Sequence, residues 1–241
     1  MHPHTVLLGL AAAVALAACS SVSPTPTTPR TPTFPTGSSL TSTAPSNNTQ
    51  SSPAPAAGRS VASWRRLVDS AVLTRSDLTS NFTPISPKEG GNQTECPSLH
   101  AAADSRSRDI AYRRVSFEMS ADGPFLDEVI AVNPDATKIL AQFATSNRAC
   151  SHFTSTDANG NVIAYTVTAQ TAGKLGDRAA AVWVDGTTTN ANGTVHVGSG
   201  VVVFQKGAVL VQVSTAGVPP PPRNLATVVA KLAARKLASV H

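Results

Sequence analysis

The chain has 241 residues, of which 41% are hydrophobic and 14% charged, and its formal net charge is +5. Arg30 and Arg59 precede residue 60 and no acidic residue does, so residues 60–241 hold seventeen basic and fourteen acidic side chains, a net charge of +3. These basic residues are scattered and only 5% of the chain is aromatic. A nucleic-acid-binding protein needs a basic stripe with stacking aromatics, so we exclude a nucleic-acid partner.

The first segment is an apolar run from Val6 to Ala18. It is shorter than the ~20 residues that a membrane-spanning helix needs, and it fits the apolar region of a signal peptide. Because it ends in Leu16-Ala17-Ala18-Cys19, it is typical of a bacterial lipoprotein signal. We predict that residues 1–18 are removed and that Cys19 carries the lipid, including palmitate. The alternative is an ordinary secretory signal followed by an incidental cysteine.

A lipid on Cys19 would hold the protein at the extracytoplasmic face of the cell membrane. Stable anchoring usually takes two attachment signals, such as dual acylation, and a lipoprotein cysteine with several acyl chains would meet that requirement. No later segment has the length and apolarity of a transmembrane helix.

Residues 19–59 consist almost entirely of Ser, Thr, Pro, Ala, Gly and Asn. Such a segment has too little apolar surface to offset the entropy of ordering it, and its prolines favour extended geometry. We therefore predict a disordered tether that spaces a folded domain from the membrane.

With Cys19 assigned to lipid, Cys96 and Cys150 remain. An extracytoplasmic compartment permits disulfides, so we predict that the two residues pair. The alternative is a reactive thiol, but neither cysteine lies in a C-x-x-C motif.

Residues 60–241 are predicted to form one folded domain. Apolar residues recur at helical spacing in residues 60–73, in 133–150 after the cap Asn133-Pro134-Asp135, and in 223–240. Residues 84–95 are predicted to be a loop because of their Pro, Gly and Asn content.

Alternation with period two predicts strands at 110–119, 125–132, 162–169, 179–185, 195–205 and 208–214. The turn signals are Asp122-Gly123-Pro124, Asn159-Gly160, Asp185-Gly186, Asn192-Gly193 and Lys206-Gly207. Consecutive strands with tight turns imply antiparallel pairing. The predicted fold class is α+β, an antiparallel sheet with helices packed on one face.

Several short motifs add a resemblance over roughly residues 64–240. They are Leu73-Thr74-Arg75-Ser76-Asp77-Leu78, the two cysteines around a strand pair and helix, Leu175-Gly176-Asp177, and residues 204–211, Phe-Gln-Lys-Gly-Ala-Val-Leu-Val. In this order they resemble the extracytoplasmic sensor domain of mycobacterial receptor kinases of the PknH type, which also occurs alone in mycobacterial lipoproteins. The resemblance implies ligand binding in a cleft but transfers no individual binding residue. Family members often carry a second disulfide, which this chain lacks the cysteines to form. The sequence contains no kinase segment, so we expect no signalling through an attached kinase.

Catalytic patterns are weak. His100, His152 and His196 fall in the predicted domain, but Gly198-Ser199-Gly200 is not the G-x-S-x-G elbow of a serine hydrolase and is predicted to form a bulge or kink. Adjacent Asp127 and Glu128 should point to opposite faces of a strand, which does not suit acid–base partnership.

No histidines or carboxylates show metal-ligand spacing, and residues 157–161, Asp-Ala-Asn-Gly-Asn, form a predicted hairpin turn because no glutamate closes a calcium loop. Trp183 and His196 could line an exposed sheet face. The alternative is a Trp packed under a helix and a solvated His. We expect no enzymatic activity, cofactor or metal.

The sequence thus favours a lipid-anchored envelope lipoprotein with a sensor-like, non-catalytic domain that binds an extracytoplasmic small molecule or an envelope protein. A carrier or chaperone of lipids or cell-wall precursors is the alternative, and it would need a large apolar cavity. An enzyme with a dispersed site is a third possibility.

Overall fold

The structure is a computed structural model that describes residues 59–79, 81–87, 96–100, 106–156, 160–190 and 193–240. The predicted signal peptide at 1–18, the predicted lipidation site Cys19 and all of the predicted tether except Arg59 lie outside the described residues.

The domain is built on one eight-stranded antiparallel sheet of order β1-β2-β3-β8-β7-β6-β5-β4. The strands are β1 (Thr83–Ile85), β2 (Ala111–Glu118), β3 (Phe125–Val132), β4 (His152–Thr156), β5 (Val162–Gln170), β6 (Arg178–Asn190), β7 (Gly193–Lys206) and β8 (Val209–Gly217). The α-helices of the described ranges are α1 (Val61–Ala71), α2 (Ala136–Ala144), α3 (Ser146–Ala149) and α4 (Leu225–Ser239). The α+β class and the antiparallel pairing are confirmed.

Helices cover both faces of the sheet, so the prediction that they pack on one face is wrong. The helices α1 and α4 pack on β2, β3, β7 and β8 on one face, and α2 packs on β6, β7 and β8 on the other. We call these the α1/α4 face and the α2 face. The reason lies in β7, where the consecutive residues Val201–Phe204 are all buried. A continuous apolar run marks a strand that is buried on both sides, whereas one covered face would require alternation.

The turn predicted at Asp185-Gly186 is also wrong, because β6 continues without interruption to Asn190. Gly186 lies opposite Tyr165 and Val197 in the sheet. A Cβ at position 186 would lie 2.5 Å from the Val197 side chain and 2.7 Å from the Tyr165 ring. Glycine is therefore required here by close packing, not by a turn.

Two edge strands were not predicted. Strand β1 contains Pro84, within the range assigned to a loop, and prolines are tolerated in sheets mainly at edges. Strand β4 is short and mostly polar, so it lacks the alternation that identifies a half-buried strand. The predicted turn at Lys206-Gly207 joins β7 to β8, and β6 and β7 pair up to Asn190 and Gly193, whereas Asn192 of the turn predicted at Asn192-Gly193 lies outside the described residues.

Cys96 and Cys150 form the predicted disulfide, which joins the start of a 3₁₀ turn (Pro97–His100) to the residue after α3. Both sulfurs belong to the core beneath α2. None of the helices in the described ranges is long and apolar enough to span a membrane.

Candidate ligand-binding face

Among the described residues, nothing covers the α1/α4 face of the sheet over β4, β5, the second half of β6 and the start of β7. The helix α1 packs on β2 and β3 and α4 packs on β7 and β8, so neither lies over this end of the sheet. The uncovered surface carries mainly threonine side chains with a histidine at each side. We call it the threonine face, and it consists of His152, Thr154, Thr156, Val162, Ala164, Thr166, Thr168, Thr187, Thr189, Thr194 and His196.

Strand alternation places these side chains on one side. In β5, Thr166 and Thr168 are exposed while Ile163, Tyr165 and Val167 are buried beneath α2. The period-two alternation that predicted a strand at 162–169 is confirmed. The face spans four strands, roughly 15 Å at the usual strand separation of about 4.8 Å.

Cross-strand contacts order several of these side chains. The hydroxyl of Thr166 lies 3.2 Å from Nδ1 of His152. On the next strand pair, the Thr187 hydroxyl lies 3.4 Å from Nδ1 of His196. Each hydroxyl keeps further capacity to donate or accept, and threonine methyl groups lie between them, so the surface offers both hydrogen bonds and small apolar contacts.

A cluster of three side chains forms the inner margin of the threonine face. The Trp183 indole Nε1–H donates a 2.6 Å hydrogen bond to Oδ1 of Asp185, and Nη2 of Arg223 donates a 2.9 Å bond to Oδ2. The Arg223 guanidinium also lies 5.4 Å from the Trp183 ring centre, within cation–π range. Because Arg223 balances Asp185, this margin carries no net charge.

Gly198 makes room for the Trp183 ring, and Gly200 lets Ala226 of α4 approach the sheet, since a Cβ at Gly200 would lie 3.1 Å from the Ala226 Cβ. A Cβ at Gly198 would lie 2.6 Å from the indole and 2.6 Å from Pro220, and Gly200 lies directly opposite Trp183. The register of β6 and β7 is continuous through both glycines. The bulge or kink predicted at Gly198-Ser199-Gly200 is therefore wrong, and these glycines serve packing.

Trp183 and His196 lie on the same face of the sheet, but they differ in solvent exposure. Trp183 is 1% exposed, packed against the Pro220 segment that leads into α4, while His196 is exposed. The alternative interpretation, a packed Trp and a solvated His, is confirmed.

The candidate catalytic groups do not come together. Ser199 is buried and points to the α2 face, whereas His152 and His196 lie on the opposite side of the sheet. The side chain of His100 lies outside the described set. Within the described ranges, no group of three or more His, Cys, Asp or Glu side chains could hold a metal ion. Residues 157–159 of the hairpin turn predicted at 157–161 lie outside the residues that the structure describes.

Asp127 and Glu128 point to opposite faces, as predicted. Nε of Arg114 donates to both Asp127 oxygens at 2.8 and 3.0 Å, and the Ser116 hydroxyl donates at 2.5 Å. Glu128 instead lies in the core on the α1/α4 face, fully buried. Burial raises the pKa of Glu128 to about 8, and a hydrogen bond from the Leu73 N–H only partly offsets that effect.

The threonine face was not identified from the sequence. The alternation of exposed Thr and buried apolar residues in β5 was visible, but β4 was missed and the position of α4 along the sheet is a tertiary property. A fuller signal would have been the alternating Thr187 and Thr189 of β6, which pair with His196 and Thr194 of β7.

No protein-family model and no curated protein matches the sequence. Among solved structures, the chain is similar to the crystal structure of the extracellular domain of PknH from Mycobacterium tuberculosis, with a TM-score of 0.55 and 14% sequence identity. The similarity covers 73% of this chain and 96% of that domain. The fold implied by the sequence resemblance is thereby confirmed, whereas residue roles do not transfer at this identity: the chain shares its fold with the extracellular domain of PknH.

Proposed function

We propose that this protein is a lipid-anchored extracytoplasmic protein whose domain binds a ligand or an envelope partner, in a sensor-like and non-catalytic manner, through the threonine face. The observation that carries the proposal is that half of one sheet face is left open by the helices that cover the rest. Antiparallel sheets can simply expose one face to water, so the proposal needs a direct binding test.

The chemistry of the face favours a neutral polar ligand. Its hydroxyls are donors and acceptors, its marginal carboxylate Asp185 is balanced by Arg223, and the Trp183 indole is buried. A carrier of lipids would instead need enclosed apolar space. In the described part of the chain, the space beneath the helices is filled by large side chains such as Phe143 and Phe204.

The test is a titration of the full-length protein with three probes, in which the NMR chemical shifts of backbone amides report binding. The probes are chitotetraose and tetra-alanine, both neutral and polar, and decanoate, an apolar carrier-type ligand. We expect a polar probe to shift amides of β4–β7 on the threonine face. Thr187→Lys should abolish the effect, and Thr79→Lys, an exposed threonine elsewhere, should leave it unchanged.

Two results would overturn the proposal. One is that neither polar probe shifts those amides in the wild-type protein. The other is saturable binding of decanoate with shifts of core residues beneath α2, which would support the carrier alternative.

A further inference from the structure

A second feature lies at the opposite edge of the sheet and on the opposite face from the threonine face. It is an open cavity of about 520 Å³ between β1 and the turn that joins β2 to β3. The lining residues are Thr83, Ile85, Ser86, Pro87, Glu118, Met119, Ser120 and Ala121. The volume falls within the range of about 300–1,000 Å³ that is usual for small-molecule sites.

Among the described lining residues, Glu118 is the one charged side chain. Strands β1 and β2 pair so that Thr83 lies opposite Glu118 and Ile85 lies opposite Ser116. Among the residues that the structure describes, no ion pair involves Glu118 and no Lys, Arg or His lines the cavity. Arg114 and Asp127 form an ion pair on this face, so their charges balance each other. The cavity therefore has negative character although the whole chain has a net charge of +5.

The rest of the lining is divided between hydroxyl and apolar groups. Thr83, directly opposite Glu118, offers a hydroxyl oxygen next to the carboxylate, and Ser86 adds a second hydroxyl to the lining, while Ile85, Pro87 and Met119 form an apolar wall. Met119 is 40% exposed, unusually open for a large apolar side chain next to a cavity.

From this arrangement we propose that the cavity binds a primary ammonium group attached to a short aliphatic chain. An ammonium carries three N–H donors and no acceptor, which matches one carboxylate with neighbouring hydroxyl oxygens. The aliphatic part would cover Met119 and Ile85. An anionic ligand would be repelled by the Glu118 carboxylate, and a neutral ligand would not form an ion pair with it.

The turn that forms one wall is held by its own hydrogen bonds. The Ser120 hydroxyl donates to the Gly123 carbonyl at 2.6 Å, and the Met119 N–H donates to the Pro124 carbonyl at 3.1 Å. The Asp122 carbonyl accepts from the Val218 N–H at 3.0 Å, which ties the turn to the end of β8. The cavity wall is thus formed before any ligand binds, which limits the ordering entropy of binding.

The experiment measures binding of n-hexylammonium to the full-length protein by amide chemical shifts and calorimetry, with n-hexanol and hexanoate as matched probes. We expect hexylammonium to shift amides of residues 83–87 and 118–121 and to bind at least about tenfold more tightly than hexanol, as one charge-assisted hydrogen bond would give. Glu118→Gln should remove that preference. Asp122→Asn, on the same turn but outside the lining, should change the affinity by less than about twofold because its charge is screened.

Equal affinity for hexylammonium and hexanol would overturn the proposal, as would an unchanged affinity in Glu118→Gln. Tighter binding of hexanoate, or shifts that map away from the cavity, would also refute it. The spectrum of each variant without ligand shows whether it is folded, so a loss of binding cannot be mistaken for unfolding.

Discussion

The backbone N–H of Leu73 donates a 2.6 Å hydrogen bond to Oε2 of Glu128, which joins the chain just beyond α1 to the middle of β3. Glu128 is fully buried, and its other oxygen has no partner within the described structure. The charge of Lys236 in α4 lowers the pKa of Glu128, while the charges of Asp77 and Asp127 raise it. The helix that follows the predicted tether is thus fastened to the sheet through a carboxyl group whose protonation depends on pH.

Stability should fall as pH rises because of Glu128. Its pKa is raised from 4.5 to about 8 in the folded protein, so between these values the native state keeps a proton that the unfolded state releases. The contribution is fully present below about pH 4.5 and is lost as pH rises through about 8, at a slope approaching 1.4 kcal/mol per pH unit. Urea unfolding from pH 5 to 8 measures this slope.

Glu128→Gln tests the assignment because the amide keeps an acceptor for the Leu73 N–H and cannot ionise. We expect it to flatten the stability profile between about pH 6 and 8, above the range in which Asp109, whose pKa burial raises to about 6, adds a slope of its own. The control is Glu118→Gln, a partly exposed carboxyl on the neighbouring strand, which should retain the wild-type slope. A Glu128→Gln profile as steep as the wild type would show that another group carries the effect.

Gly198→Ala should destabilise the domain. The new Cβ would lie 2.6 Å from both the Trp183 ring and Pro220, so the indole or the segment before α4 must move. Overpacking of this kind costs about 1–3 kcal/mol in the free energy of unfolding. The matched control is the adjacent Ser199→Ala, which removes a buried hydroxyl that has no partner in the described residues and should be neutral or stabilising. Equal stability of the two variants would contradict the packing role of Gly198.

The different roles of glycine show where sequence-based prediction fails in this domain. Gly207 forms a predicted turn, whereas Gly186 and Gly198 lie inside long strands beneath aromatic rings. Local sequence does not distinguish these cases, because the deciding contact comes from a different strand. Periodicity predicted which residues of β2 and β5 share a face, but it could not predict which helix covers that face. The threonine face depends on the position of α4 along the sheet, so it could be found only in the structure.

Lipidation of Cys19 remains a prediction from the sequence. Metabolic labelling with a palmitate analogue should label the full-length protein and place it in the membrane fraction. Cys19→Ala should lose the label and leave that fraction, since stable anchoring depends on acyl chains. Cys19→Ala leaves the disulfide pair intact, so a folded but unlabelled protein is expected. Label retained by Cys19→Ala would refute the assignment.

Substitution of one partner of the Arg114–Asp127 ion pair should lower the free energy of unfolding far more than replacement of both partners by apolar side chains. The two side chains are 9% and 12% exposed, so removal of one partner leaves a charge with little water around it. Asp127→Asn or Arg114→Met alone should therefore lower the free energy of unfolding by about 3–5 kcal/mol.

A combined variant, Arg114→Met with Asp127→Leu and Ser116→Ala, removes both charges and also the hydroxyl that would lose its acceptor. Because apolar side chains avoid the desolvation of two ions, we expect this variant to be at least as stable as the better single variant and close to the wild type. Urea unfolding of the wild type, the two single variants and the combined variant tests this expectation. A combined variant less stable than either single one would mean that the attraction within the pair exceeds the desolvation cost of its two charges.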